Sequence, residues 1–110
     1  MQGNPEALVR LGMARISRNT GTAQAVAGNH GAAINYFETA AKQALQAILV
    51  DNHEADLPED LEVLAERVTA LGIEVPPQIR DASGPEVDPA RNAAEAAIEL
   101  ATGLIEPAAA

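Results

Sequence analysis

Apolar residues recur three or four positions apart along most of this chain of 110 residues, and alanine supplies 24 of its 52 apolar side chains. This spacing follows the turn of an α-helix, roughly 3.6 residues, and predicts helices throughout. Tyr36 and Phe37 are the only aromatic residues, which disfavours a sandwich of β-sheets. The 28 apolar side chains larger than alanine suffice for one small core and not for two. Residues 1–110 are therefore predicted to form a single helical-bundle domain.

The first predicted helix begins at Asn4-Pro5, a pair typical of an N-cap followed by the first helical residue. One stripe along it repeats at spacings of four and three, and we expect this stripe to pack inside the bundle. Its members are Val9, Met13, Ile16, Thr20, Ala23 and Ala27. Leu8 and Leu11 lie off the stripe, so we expect a second copy of the chain to cover them. The segment Gly28 to Gly31 separates this helix from the next.

The second helix has the broadest apolar face, which indicates burial on more than one side. Its stripe consists of Ile34, Phe37, Ala41, Ala44, Ile48 and Asp51, widened by Ala33, Ala40, Leu45, Ala47 and Leu49. The third helix is predicted to be capped at Asp56 or Leu57, with Pro58 in its first turn, and to end before Gly72.

Pro76-Pro77 prevent a helix from continuing but allow a short connector helix through Ala82. The last helix is predicted to begin at Asp88-Pro89 and to end near Glu106, leaving a frayed tail over 107–110. Its buried line comprises Ala90, Ala94, Ala97, Ala101 and Leu104. The predicted fold class is all-α: an up-and-down bundle of four main helices plus the short connector helix. Because alanine buries little area, the core is thin, and we expect a homodimer.

Charge and composition exclude several classes of protein. Sixteen acidic residues against seven basic ones give a net charge of −9, so binding to double-stranded DNA is disfavoured. The absence of cysteine rules out a disulfide scaffold, a Cys-ligated metal site and a Cys nucleophile. No signal peptide is recognisable, and the longest apolar run, Ala47 to Val50, is far too short for a membrane span. A cytoplasmic protein that does not enter the membrane is expected.

Residues suited to catalysis or metal binding are scarce. His30 and His53 each fall in a predicted loop without a second ligand at helical spacing, so they predict no metal site. Ser17 and Ser83 lack a neighbouring base, and no phosphate-binding or dinucleotide glycine motif occurs. No catalytic residue and no cofactor are therefore predicted.

Arginines are the stronger candidates for a binding site. Arg10, Arg15 and Arg18 share an arc of about 140° on the first helix and are suited to a phosphate or an acidic partner, or alternatively to pairing with acids of the same chain. Arg91 lies in the first turn of the last helix, where free N–H groups also favour an anion. Tyr36 lies beside the apolar stripe of its helix and is suited to stacking on a base or to the edge of the bundle.

Five segments carry a resemblance to a known family. They are Tyr36-Phe37 followed by Ala40 to Leu45, the turn with Gly28 and His30, Leu57 to Leu64, Ile73 to Ile79 and Ala93 to Ile105. Together these segments resemble the HEPN-domain family, whose name refers to nucleotide binding. It implies a helical bundle that commonly forms a homodimer and is linked to nucleotides or RNA. Members include ribonucleases and partners of small nucleotidyltransferases.

The chain departs from the catalytic members of that family. Their last helix carries an arginine followed by a histidine, whereas no histidine follows Arg91 here. Glu59 stands where the family's third helix has a histidine, and Gln43 and Gln46 replace lysines. The main hypothesis is a non-catalytic HEPN-like binding module for a nucleotide, RNA or a nucleotidyltransferase partner, with Arg91, Arg10, Arg15, Arg18 and Tyr36 as contacts. The alternatives are a purely structural or interacting dimer and, third, a ribonuclease that uses His30 or His53.

Overall fold

A computed structural model describes residues 4–106, apart from the side chains of Asp81 and Ser83. Four α-helices follow one another along the chain, namely α1 (Pro5–Val26), α2 (His30–Asp51), α3 (Leu61–Ala70) and α4 (Val87–Ile105). A 3₁₀ helix, the connector helix (Pro77–Ser83), joins α3 to α4. The predicted all-α, up-and-down bundle is confirmed, including the short helix, which begins at the second of the two prolines. The tail expected over 107–110 lies outside the described residues.

The helices α1 and α2 form an antiparallel pair that is tied at both ends. The side chain of Asn4 accepts a hydrogen bond from the N–H of Glu6 at 2.8 Å, which confirms the predicted cap. The N–H of Asn4 donates to Oδ1 of Asp51 at 3.0 Å, joining the start of α1 to the end of α2. Gly28 has a φ of +86° in the turn between them, a conformation that glycine adopts without strain.

Helix α2 supplies the centre of the core and packs against the other three α-helices. Ten of its 22 residues are buried, and they include four members of the predicted stripe, Phe37, Ala41, Ala44 and Ile48. The two end members of that stripe, Ile34 and Asp51, are half-buried. The additional alanines and leucines that widen the stripe are buried as well. The prediction that α2 is covered on more than one side is therefore confirmed.

Helix α1 packs through the opposite face from the one predicted. The expected inner stripe is exposed except at Thr20, which is half-buried, and two of its largest members, Val9 and Ile16, are 62% and 66% exposed. The buried residues of α1 are Ala7, Leu11, Ala14 and Gly21. Leu11 is thus covered within the chain and Leu8 packs partly against the core, so neither awaits a second copy. Apart from Leu11, the buried residues of α1 are small, and they allow α1 to approach α2 closely.

The starts of α3 and α4 differ from the predictions. Asp60 caps α3, and its Oδ1 accepts from the N–H groups of Glu62 and Val63 at 2.9 and 3.2 Å. Asp56 and Leu57 stay in the preceding loop, where the carbonyl of Pro58 accepts a hydrogen bond from the Gln46 side chain at 3.0 Å. Helix α4 begins at Val87, before the predicted cap, because proline is tolerated in a first helical turn.

Candidate functional site

The solvent side of α1 is apolar and uncharged, and we call it the α1 outer face. It consists of Val9, Gly12, Met13, Ile16, Thr20 and Ala23, which fall within about 100° of the helix circumference. Met13 is 42% exposed, and the exposure of Val9 and Ile16 is larger still. The Thr20 hydroxyl donates to the carbonyl of Ile16 at 2.9 Å, so its donor is used within the helix. An exposed helix face is ordinarily polar, and this one is not.

Two of the candidate arginines join α1 to α4. Nη2 of Arg15 lies 2.7 Å from Oε1 of Glu106 and 3.0 Å from the hydroxyl of Thr102. Nη1 of Arg18 lies 2.7 Å from Oε1 of Glu95. Arg15 and Arg18 are therefore both paired with acids of the same chain, which is the second of the two interpretations that the sequence allowed. Their role in the fold is to connect the first helix to the last across the surface of the bundle.

Arg10 lies apart from the other two, in a polar groove between α1 and α2. Its Nη1 donates to Oε1 of Gln46 at 3.1 Å. Its Nε is buried without a hydrogen-bond partner, because Oε2 of Glu6 is 4.0 Å away. The groove has a volume of about 430 Å³ and is also lined by Lys42 and Glu59, so two cations and one carboxylate face it. Lys42 is paired with Glu38 at 3.3 Å.

Arg91 and His30 line the same open groove, which has a volume of about 550 Å³. The two residues were predicted apart, His30 in a loop and Arg91 in the last helix, and His30 is instead the first residue of α2. Glu86 and Asp88 line the groove too, and Asp88 forms an ion pair with Arg91. Two carboxylates beside one permanent cation make the groove unfavourable for a phosphate. His53 does not line this groove and is exposed just beyond the end of α2.

Tyr36 is exposed on α2 and lines a shallow depression together with Asn35 and Thr39. The five predicted contact residues therefore occupy four places rather than one site. Arg15 and Arg18 share the contact between α1 and α4, whereas Arg10, Arg91 and Tyr36 each line a different groove.

A further groove, the α4 groove, was not predicted from the sequence. Helix α4 forms one wall of it, and the segment around Pro76 forms the other; its volume is about 540 Å³. Six of its lining residues are Pro76, Ala96, Glu99, Leu100, Gly103 and Leu104. Leu104, which was predicted on the buried line of the last helix, is 41% exposed and lines this groove instead. Its spacing from Ala96 and Leu100 marks a second apolar stripe on α4 and was a signal for the groove.

Within residues 4–106, no cluster of histidine and carboxylate side chains is arranged to hold a metal ion. In the same part of the chain, no helix combines the length and apolar character needed to cross a bilayer. Comparison with models of known protein families, with curated proteins and with solved structures finds no match.

Proposed function

We propose that this protein is an interaction module that forms a homodimer through the α1 outer face. The observation that carries the proposal is the exposure of Val9, Met13 and Ile16 on one uncharged helix face. Contact with an identical face removes all three side chains from water in both copies, and it buries no charge. This proposal keeps the homodimer expected from the sequence but moves its interface from Leu8 and Leu11 to the other side of α1.

The distribution of side-chain size along the α1 outer face favours an antiparallel pair of α1 helices. Its bulky residues, Val9 and Met13, lie in the first half of the helix, and the smaller Thr20 and Ala23 lie in the second half. Antiparallel pairing places bulky residues opposite small ones and Ile16 near the two-fold axis. Parallel pairing would oppose Val9 with Val9 and leave a gap at Ala23. The spacings of four and three match the average of 3.5 residues found where two helices pack side by side.

The charge distribution also favours this surface for self-association. Helix α1 carries three arginines and one glutamate, whereas residues 31–110 carry 15 acidic and four basic residues. Contact through α1 joins the least acidic surfaces of two chains whose net charge is −9 each. The remaining acidic surfaces then stay apart, which limits repulsion between the two copies.

The size of the face sets the expected affinity. Helix α1 has 22 residues and a length of about 33 Å. One face of such a helix buries less than the roughly 800 Å² per partner of a standard interface. We therefore expect a dimer that dissociates in the micromolar range of chain concentration.

Sedimentation equilibrium over a dilution series tests the proposal. The parent chain is expected to pass from dimer to monomer on dilution, and Ile16→Glu is expected to remain monomeric with an unchanged helical spectrum. Val63→Glu is the matched control, because Val63 is an exposed apolar residue on α3. A parent chain that is monomeric at every concentration, or a control that dissociates like Ile16→Glu, would contradict the proposal.

A second candidate function is the binding of a nucleotide, which the HEPN resemblance implies. The polar groove around Arg10 and Lys42 supports it, because two cationic side chains line the same groove and cations are the groups that phosphates pair with. The test is a thermal-shift titration with ATP and ADP. Stabilisation that Arg10→Gln abolishes and Arg91→Ala retains would favour this groove, and no stabilisation of the parent chain would exclude the candidate.

A nucleotidyltransferase-type protein is the other partner that the resemblance implies. Co-elution of the two purified proteins tests it, and the Ile16→Glu variant separates this contact from the homodimer. Retained co-elution of that variant would place the nucleotidyltransferase on a different surface, and separate elution of the parent chain would exclude the partner.

A further inference from the structure

The α4 groove is separate from the α1 outer face and from the grooves that contain the candidate arginines. Its lining comes from α4, from Pro76 and from the connector helix, and includes no residue of α1 or α2. Its use by a partner would therefore be compatible with the proposed homodimer. A partner bound in the α4 groove would be distinct from the second copy bound at the α1 outer face.

The floor of the α4 groove is apolar and contains free space. Ala96 and Leu100 are half-buried, and Leu104 is 41% exposed. Gly103 lies among them, and a Cβ added there would meet no atom within 4 Å. A bulky apolar side chain of a partner can therefore enter at Gly103, between the two leucines.

The rim of the groove is acidic. Glu95 and Glu99 line it, and among the described residues no lysine or arginine does. Glu95 is already paired with Arg18, whereas Glu99 has no ion pair or hydrogen bond within residues 4–106. The free carboxylate of Glu99 adds to a chain with a net charge of −9, so the rim attracts cationic groups. The amides of Gln78 and Asn92 supply the remaining polar groups of the lining.

We propose that the α4 groove binds a basic amphipathic helix from another protein. The lining residues of α4 extend from Asn92 to Leu104, a length of about 18 Å or roughly three helical turns. A partner helix of about 12 residues matches this length and places apolar residues three or four positions apart on the floor. Lysines or arginines along one edge of that helix then face Glu99, the carboxylate of the rim that Arg18 does not already pair.

A second copy of this chain does not fit the same description. Among the helices within residues 4–106, α1 alone carries a net positive charge, and two of its three arginines are already paired with Glu106 and Glu95. Its apolar side chains are those of the proposed dimer interface. The occupant we assign is therefore a segment of a different protein with a positive charge of its own.

The test uses a labelled 14-residue helical peptide that contains only leucine on one face and lysine on the other. Fluorescence anisotropy at low salt is expected to give binding in the micromolar range, which weakens as salt is raised. The matching peptide with glutamate in place of lysine is expected not to bind. Equal binding of the two peptides would overturn the assignment of a cationic partner.

Variants of the protein locate the binding site. Gly103→Leu fills the groove and is expected to abolish binding of the lysine peptide. Glu99→Lys is expected to weaken it by about tenfold, because it places a cation on the rim. Glu59→Lys has the same net charge as Glu99→Lys, but the substituted residue lies in the polar groove around Arg10. The affinity of this variant for the lysine peptide is therefore expected to stay within about twofold of that of the parent chain.

Three further results would each overturn the proposed binding of a basic helix in the α4 groove. Binding to Gly103→Leu as tight as to the parent chain, or equal weakening by Glu59→Lys and Glu99→Lys, would overturn it. Loss of the homodimer in Gly103→Leu would assign the groove to a second copy instead. Because Glu99 is exposed and outside the core, its variant keeps the test valid even if Gly103→Leu folds poorly.

Discussion

Gly21 of α1 lies so close to Phe37 of α2 that a Cβ at Gly21 would be 2.9 Å from Cε1 of the phenylalanine ring. The ring is fully buried at the centre of the core, so it has little room to move away. This contact fixes the side of α1 that faces α2. Val9 and Ile16 consequently face solvent.

Replacement of Gly21 by alanine is expected to destabilise the protein although alanine favours helices. The gain in helix propensity is about 1 kcal/mol, and forcing a methyl group against the Phe37 ring costs about 1–3 kcal/mol. We expect a net loss of about 1 kcal/mol in the free energy of unfolding, measured in urea. Gly12→Ala is the control, because its Cβ meets no atom within 4 Å. The protein is kept dilute so that dissociation of the dimer does not contribute to the measured free energy. Equal stabilisation by Gly21→Ala and Gly12→Ala would contradict the close contact between Gly21 and Phe37.

Leu11→Ala and Val9→Ala are expected to have very different effects. Leu11 is fully buried, so its truncation should cost about 2–5 kcal/mol of unfolding free energy. Val9 is mostly exposed, and its truncation should change the monomer's stability by less than about 0.5 kcal/mol. Denaturant unfolding of dilute protein gives both values. A larger loss for Val9→Ala would mean that α1 packs through the face predicted from the sequence.

The start of α3 is testable through two aspartates. Asp60→Ala removes the cap of α3 and should lower the free energy of unfolding by about 1 kcal/mol. Asp56→Ala breaks only an exposed ion pair with Arg67 and should cost less than about 1 kcal/mol. If Asp56→Ala proved the more destabilising of the two, the helix would begin where the sequence predicted.

The ion pair between Arg15 and Glu106 should contribute little to stability. Both side chains are partly exposed, at 36% and 42%, so their coupling energy should be below about 1 kcal/mol. A double-mutant cycle with Arg15→Met and Glu106→Gln measures it at low salt and in 1 M NaCl. Coupling that survives 1 M salt undiminished would show that the pair is better shielded from solvent than its exposure indicates.

The sequence predicted α2 well and α1 poorly for one physical reason. In α2 the larger apolar residues, such as Phe37 and Ile48, are also the buried ones, so periodicity and size agree. In α1 they disagree, since Gly21 and Ala14 face the core while Ile16 faces solvent. Periodicity describes both stripes equally, so it cannot select between them, whereas the close approach of Gly21 to Phe37 is compatible with only one.

The prediction of the candidate site from the sequence was limited in a similar way, by contacts between residues far apart in the chain. Arg15 and Arg18 were correctly seen as able to pair within the chain, but their partners lie 91 and 77 positions away. Local spacing carries no information about such distant neighbours. The α4 groove depends on Pro76 meeting α4, which the sequence does not reveal either.

Disulfide trapping between two copies tests the central claim most directly, because the chain contains no cysteine that would react instead. Val9→Cys and Ala23→Cys chains are mixed and gently oxidised. We predict a mixed disulfide between them, and a self-disulfide of Ile16→Cys, with almost none for Val63→Cys. Preferential pairing of Val9→Cys with itself, or equal trapping of Val63→Cys, would contradict an antiparallel dimer through the α1 outer face.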